Sequence, residues 1–64
     1  MYKYIRIDSN KLVLEVVESE LNYQDFIKNF HPSLEYIQVD SSLDIRSSDI
    51  FLDNTNIIKG PYHN

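Results

Sequence analysis

The segment that begins at Asn22 and ends at His31-Pro32 constrains the fold of this chain most strongly. Asn22 is a helix-capping residue type, and Asp25, three positions later, suits the positive end of a helix dipole. Four apolar residues follow Asn22 at the spacing of one helical face: Tyr23, Phe26, Ile27 and Phe30. Pro32 disfavours helical backbone at the residue before it. The pattern predicts one short helix over roughly 22–30.

The first twenty residues alternate as strands do. Tyr2 to Ile7 predicts a strand, and Asp8-Ser9-Asn10 predicts a turn in which Asn10 tolerates left-handed backbone. A second strand would then run from Lys11 to about Val17, closing an N-terminal β-hairpin at roughly 2–17. A helix over 11–20 is the alternative, which the valines disfavour.

The predicted second strand is apolar on both faces. Leu12, Leu14 and Val16 share one face, and Val13, Glu15 and Val17 share the other. Such a strand is central in its sheet, or another element or chain covers its second face.

Strand patterns return after Pro32. The segment 34–39 alternates, while Ile50-Phe51-Leu52 and Ile57-Ile58 flank the turn-forming segment 53–56. We therefore predict an α+β fold for a single domain over 1–64, in which the helix packs on a small sheet. Its further strands are short and antiparallel, and 59–64 forms a loose tail.

Length and charge exclude several classes of function. The chain has 64 residues, no cysteine and a net charge of −4, so its core is thin and no disulfide supports it. Its six basic residues are scattered singly, which disfavours direct nucleic-acid binding. No apolar run approaches the roughly 20 residues that span a bilayer, and no signal peptide is visible. We expect an intracellular protein without a membrane partner.

No residue pattern indicates a reaction centre. His31 and His63 are far apart in sequence without companion ligands, and Gly60 is the single glycine, so neither a metal site nor a phosphate-binding loop is predicted. His31 suits the end of the helix. The aspartates do not match a calcium loop. We expect no enzyme activity, no cofactor and no small-molecule substrate.

Tyrosines, valines and loop aspartates are the candidate interface residues. Tyrosine combines a large apolar body with a polar tip. The aspartates either solvate turns or form an acidic face that docks on a basic surface or stands in for phosphates, together with Glu15, Glu18, Glu20 and Asp25. The predicted protein-interface residues are Tyr2, Tyr4, Val13, Val17, Tyr36, Asp40, Asp44, Asp49 and Asp53.

Five segments together resemble small proteins associated with bacteriophage and prophage tail fibres and baseplates. They are Tyr4-Ile5-Arg6-Ile7-Asp8-Ser9-Asn10, Val13-Leu14-Glu15-Val16-Val17-Glu18-Ser19, Phe30-His31-Pro32-Ser33-Leu34, Tyr36-Ile37-Gln38-Val39-Asp40 and Ile45-Arg46-Ser47-Ser48-Asp49-Ile50-Phe51. Ser48 and Asn54 stand where the resembling proteins would have glycine. The resemblance implies a non-enzymatic virion or assembly role and carries over no site residue.

Two functional hypotheses follow. The first is a phage-type protein-interaction module, structural or assembly-related, in the host cytoplasm or the virion. Its partner is another protein or a second copy, a dimer above all, with Val13 and Val17 at the contact. The alternative is a phage-encoded inhibitor of anti-CRISPR or anti-restriction type, whose acidic face docks on a basic nucleic-acid-binding surface of a host defence protein.

Overall fold

A computed structural model gives the fold of the chain and describes residues 1–30 and 34–61. Five strands and one helix follow one another along these residues. They are β1 (Tyr2–Ile7), β2 (Val13–Ser19), α1 (Tyr23–Ile27), β3 (Ile37–Val39), β4 (Ile50–Asp53) and β5 (Asn56–Ile58). The predictions for His31, Pro32 and His63 concern residues outside the described ranges.

The first sheet has β1 at its centre, with β2 and β3 antiparallel on either side. The predicted N-terminal hairpin is confirmed, but the expectation that the second strand is central is wrong, because β1 holds that position. The Asp8 carboxylate organises the turn by accepting the amides of Asn10 and Leu12 at 2.8 and 3.0 Å. The left-handed backbone expected at Asn10 occurs instead at Lys11, with a φ of 66°.

The second sheet is the hairpin of β4 and β5, and Asp53 pairs with Asn56 across the predicted turn. Backbone hydrogen bonds join this hairpin and the segment before it to residues 11–13. The Val13 amide donates to the Asp49 carbonyl and the Ser48 amide donates to the Val13 carbonyl, each at 2.8 Å. One side of residues 11–13 therefore contacts β1, and the other contacts the second sheet.

A β-bulge in β2 decides which way its valines face. Arg6 pairs with Glu15 and Ile7 pairs with Val13, so Leu14 is an extra residue in the strand. One extra residue reverses the alternation of side chains beyond it. Val13 consequently belongs to one side of the first sheet and Val17 to the other. The prediction that the two valines share a face is wrong.

The two faces of the first sheet carry two separate hydrophobic clusters. The main core consists of the buried residues Ile5, Val13, Val39, Ile45 and Phe51, with Ile7, Val16, Ile37, Leu43 and Ile57 packed against them. The aromatic cluster consists of Tyr4, Phe26 and Tyr36, with Val17 and Phe30 packed against them. The β4–β5 hairpin and the loop that precedes it close the main core.

The predicted α+β fold, with a helix layer on a sheet, is wrong. The described chain is mostly β, in two small antiparallel sheets, and α1 has five residues of which only Phe26 is buried. Five helical residues extend about 7.5 Å, whereas six strand residues extend about 20 Å. A helix of that length inserts one side chain and cannot cover a sheet face.

The predicted helix and the predicted third strand are longer than the observed ones. The Asn22 side chain caps α1 as expected, accepting the Asp25 amide at 3.0 Å. After α1, the amides of Asn29 and Phe30 donate to carbonyls three residues back, which is a tighter turn than an α-helix. β3 begins only at Ile37 instead of position 34. Within the predicted loose tail, Gly60 is held by Asp49, and 62–64 lie outside the described residues.

Candidate interaction surface

The aromatic cluster is built around Phe26. Its ring stacks on Tyr4 with centroids 4.0 Å apart and planes 11° apart, and it meets the edge of Tyr36 at 5.1 Å. Phe30 lies 4.8 Å from Phe26 and 4.7 Å from Tyr36. Offset-stacked and edge-to-face geometries are the favourable ones for aromatic rings. Tyr23 of α1 also lies near Tyr4, with ring centroids 6.2 Å apart, so two side chains of the helix contact the central tyrosine of the sheet.

Both buried tyrosines have hydrogen-bond partners for their hydroxyl groups. Tyr4 donates to the Leu21 carbonyl and Tyr36 donates to the Glu15 carboxylate, each at 2.6 Å. Burial raises the pKa of Tyr4, and the nearby Tyr2 adds to the effect. Burial and the Glu15 carboxylate raise the pKa of Tyr36, while Arg6 acts in the opposite direction. The neutral phenols are therefore favoured, and each anchors a segment of chain around the cluster.

A groove runs beside the aromatic cluster. Tyr23 and Ile27 of α1 line it together with Leu34, and these residues are 39%, 38% and 39% exposed. Phe30 and Tyr36 also line the groove, so the aromatic cluster forms part of its wall. Apolar side chains around a concave surface are typical of protein and ligand contacts.

One positive and one negative residue line the same groove. Lys28 follows α1, and its ammonium group lies 3.6 Å from Asp25. Glu35 precedes β3 and also lines the groove, and both residues are exposed. The groove therefore has apolar side chains and one residue of each charge in its lining.

A second exposed apolar surface lies on the β4–β5 hairpin. Strand pairing places Leu12, Ile50 and Ile58 in one row across three neighbouring segments, and Ile58 is the most exposed of the three. This row lies along paired residues of neighbouring segments, whereas the groove residues surround a concave surface. Of the two surfaces, the groove has the more specific shape and chemistry.

The structure separates the predicted interface residues into three groups. Tyr4, Val13 and Asp49 are buried inside the chain, and the buried Tyr36 lines the groove. Val17 is half-buried against the aromatic cluster. The remaining residues are exposed: Tyr2, Asp40, Asp44 and Asp53. The Tyr2 ring stacks on the Tyr4 ring with centroids 6.4 Å apart, and the three aspartates lie outside the strand interiors.

Carboxylates of the predicted acidic face have hydrogen-bond or ion-pair partners within the chain. Asp40 accepts the amide and hydroxyl of Ser42, which lower its pKa. Asp53 accepts the side chains of Asn56 and Thr55 and both their amides, and its pKa falls to about 2. The Oδ1 atom of Asp44 lies 3.7 Å from Nε of Arg46. These carboxylates organise turns or meet a cation within the chain.

The buried Asp49 carboxylate joins two loops by hydrogen bonds. Its carboxylate accepts the Arg46 amide at 2.8 Å and the Gly60 amide at 2.7 Å, and the residue is fully buried. A Cβ at position 60 would lie 2.3 Å from the Ser48 carbonyl oxygen, so only glycine fits this approach. The site joins the segment before β4 to the segment after β5 and is structural.

Of the residues that line the groove, Tyr36 is among the predicted contacts and the others are not, although the sequence contains a signal for them. The prediction of a helix packed on a sheet places the stripe Tyr23, Phe26, Ile27 and Phe30 against that sheet. A stripe on a helix of one to two turns has little sheet to cover, and some of its members must remain exposed.

The part of the chain that the structure describes contains neither a metal-ion site nor a membrane-spanning helix. Across 1–30 and 34–61, no group of three or more histidine, aspartate or glutamate side chains is arranged to hold a metal ion. In the same part of the chain, no helix has the length and apolarity needed to cross a bilayer.

Comparison with family models, with curated proteins and with solved structures found no match for this chain.

Proposed function

We propose that this chain is a non-enzymatic protein-interaction module whose contact surface is the groove beside the aromatic cluster. The observation that carries the proposal is the partial exposure of Tyr23, Ile27 and Leu34 around one concave surface. Completing the burial of each side chain would contribute roughly 1 kcal/mol. The partner is therefore a protein surface that offers apolar side chains to the groove and charged groups to Lys28 and Glu35.

The resemblance to phage tail-fibre and baseplate-associated proteins supplies the biological setting of this proposal. It favours a structural or assembly component that acts in the host cytoplasm or in the virion. A module of this kind needs a stable surface and no reaction centre, which agrees with the role of the groove proposed here.

An inhibitor that docks an acidic face on a basic nucleic-acid-binding surface has less support. Mimicry of phosphates needs carboxylates that point outward together. Asp40 and Asp53 instead accept hydrogen bonds within their own turns, and Asp49 is buried. An inhibitor that uses the apolar groove would belong to the first proposal.

Site-specific photo-cross-linking in the cell that encodes the chain tests the groove. Ile27→p-benzoylphenylalanine places the reactive group in the groove, and Gln24→p-benzoylphenylalanine places it at an exposed position of the same helix outside the groove. We expect adducts of defined mass from position 27, and we expect Leu34→Asp in the same chain to remove them.

The proposal fails if position 27 gives no adduct in a folded chain, or if both positions give the same adducts. Circular dichroism of each purified variant establishes that the chain is folded. A partner identified from the adduct must also bind the purified chain, and Leu34→Asp must weaken that binding.

A further inference from the structure

We propose that the groove receives an extended segment of the partner protein, and that this segment pairs as an added strand with the free edge of β3. The proposal rests on the function proposed above and states the conformation of the bound partner. The main chain of the segment forms hydrogen bonds with β3, and its alternate side chains enter the groove.

Only one edge of β3 is paired. The first sheet has the order β2-β1-β3, and β3 pairs with β1 over Ile37–Val39. In the described residues 1–30 and 34–61, no second strand pairs with β3. Successive residues of an antiparallel strand direct their backbone groups alternately toward its two edges. Some amides and carbonyls of β3 therefore point away from β1 and toward no other described strand.

The groove reaches this free edge. Tyr36 packs in the aromatic cluster and Ile37 packs against the main core, so their side chains lie on opposite faces of the first sheet. Both residues nevertheless line the groove, together with Leu34 and Glu35. A groove lined by neighbours on opposite faces meets the chain at its edge, and β1 occupies the other edge. A segment bound in the groove therefore lies beside the outward-pointing backbone of β3.

The free edge favours an extended occupant over a helical one. A row of backbone donors and acceptors is complementary to another extended chain whatever its side chains are. The backbone groups of an α-helix bond within the helix, so a helix in the groove would leave the edge of β3 unpaired. The partly exposed Tyr23, Ile27 and Leu34 supply the apolar contacts for alternate side chains of the extended segment.

The opposite edge of the first sheet is less suited to strand addition. Residues 11–13 already form backbone hydrogen bonds with residues 48–51, and Leu14 is the extra residue of the β-bulge. Glu15 and Glu18 follow in β2. Bulges and charged side chains are features that block pairing at an edge. By contrast, β3 contains no charged residue and pairs with β1 in continuous register.

Selection from a displayed library of random linear peptides is the first experiment. The purified chain is the target, and Leu34→Asp is used to discard peptides that bind outside the groove. We expect the selected peptides to carry apolar residues at every second position, as an added strand does. Peptides with apolar residues three and four positions apart would indicate a bound helix and overturn the proposal.

N-methylation of single backbone amides in the chemically synthesised chain is the second experiment. It is made separately at Ile37, Gln38 and Val39, and it leaves every side chain unchanged. The amide of Gln38 points to the opposite edge from those of its two neighbours. We expect outward N-methylation to leave the chain folded by circular dichroism and to weaken binding of a selected peptide about tenfold. Inward N-methylation should destabilise the pairing with β1, which assigns the two edges.

The outcomes separate this proposal from the proposed function. Equal peptide binding by the unaltered chain and by every folded N-methylated chain would overturn strand addition, and adducts from position 27 would leave the proposed function standing. The absence of any adduct from position 27 would remove both. Self-association in sedimentation equilibrium that outward N-methylation abolishes would identify β3 of a second copy as the occupant, and would overturn the partner protein.

Discussion

The two faces of β1 are closed in different ways, although neighbouring residues form their centres. Ile5 enters the main core and Tyr4 enters the aromatic cluster, and both are fully buried. Strands and loops with backbone hydrogen bonds to residues 11–13 close the main core, whereas side chains of one short helix contact the aromatic cluster beside a groove. Full burial of a residue therefore does not show that its whole face is closed. The open face is where a partner has room to bind.

Truncation of one side chain at the centre of each cluster should cause the largest losses of stability. It should also show how the two faces differ. Ile5→Ala leaves a cavity among residues that the sheet holds in place, and we expect a loss of about 4 kcal/mol in the free energy of unfolding. Phe26→Ala removes more atoms beside an open groove that can adjust, and we expect about 3 kcal/mol. Urea denaturation measures both.

Amide hydrogen exchange locates the damage in the same two variants. Phe26→Ala should accelerate exchange in residues 21–30 while β1 and β2 remain protected, whereas Ile5→Ala should accelerate it throughout the first sheet. Equal acceleration in both regions for Phe26→Ala would show that the two faces form one cooperative unit.

The closure of the main core is tested next by Asp49→Asn. An asparagine retains one acceptor oxygen, so its amide group would face the amide of Arg46 or Gly60 in a buried site. A buried donor without an acceptor costs about 1 to 3 kcal/mol, and we expect a loss in that range by urea denaturation. Asp44→Asn, at an exposed position, is the control. An equal loss there would contradict the stabilising role of the Asp49 hydrogen bonds.

Alkaline pH should weaken the aromatic face selectively. A pKa that is raised in the folded chain means that the unfolded chain loses its phenol proton first, so stability is present below about pH 10 and falls as the pH rises through the folded pKa. Tyr36→Phe should reduce this fall while lowering stability at neutral pH by about 1 kcal/mol, because the hydrogen bond to Glu15 is lost.

Urea denaturation from neutral to alkaline pH measures both effects. Tyr23→Phe serves as the control because Tyr23 is exposed and lines the groove. If it reduces the alkaline loss as much as Tyr36→Phe does, the effect does not come from the buried phenols.

A smaller gain in stability is expected from Ser48→Gly beside the main core. Ser48 has a φ of 73°, in the left-handed region that glycine adopts without steric cost. Relief of this strain, offset by the greater freedom of glycine in the unfolded chain, should add about 0.5 kcal/mol. Ser47→Gly lacks the positive φ and should lower stability in thermal unfolding. A gain for both variants would contradict the strain argument.

The smallest effect is expected in the turn between β4 and β5. The pKa of Asp53 is lowered to about 2 by its hydrogen bonds, so its contribution is present above the unfolded value of about 4 and is lost as the pH falls through 2. Asp53→Asn keeps an acceptor oxygen without the charge. Its stability should therefore fall less between pH 4 and pH 2, as thermal unfolding at each pH can show. Parallel profiles for the two chains would assign the acid loss to other groups.

Local features of the fold were predictable because a few neighbouring residues specify them. Asn22 caps the helix, Asp8 organises the first turn, and Asp53 with Asn56 closes the second hairpin. Each of these interactions spans at most four residues, so the chemistry and spacing of the side chains are sufficient to indicate it.

The candidate site was less predictable, because exposure depends on what covers a face. Tyr23 and Ile27 have the spacing of a core stripe, and only the length of α1 shows that they remain partly exposed. In the same way, Asp49 has the composition of a surface turn and is buried by the distant Gly60 segment. Neither outcome is contained in the periodicity of the residues concerned.

The sequence by itself determined the hairpins, the helix cap and the acidic turns, since these depend on contacts between near neighbours along the chain. Tertiary structure alone decided that β1 is central, that the bulge at Leu14 sends Val13 and Val17 to opposite faces, and that one face stays open as a groove. The physical reason is register. Where one strand lies against another depends on pairings between distant segments, and a shift of one residue exchanges the buried and exposed faces.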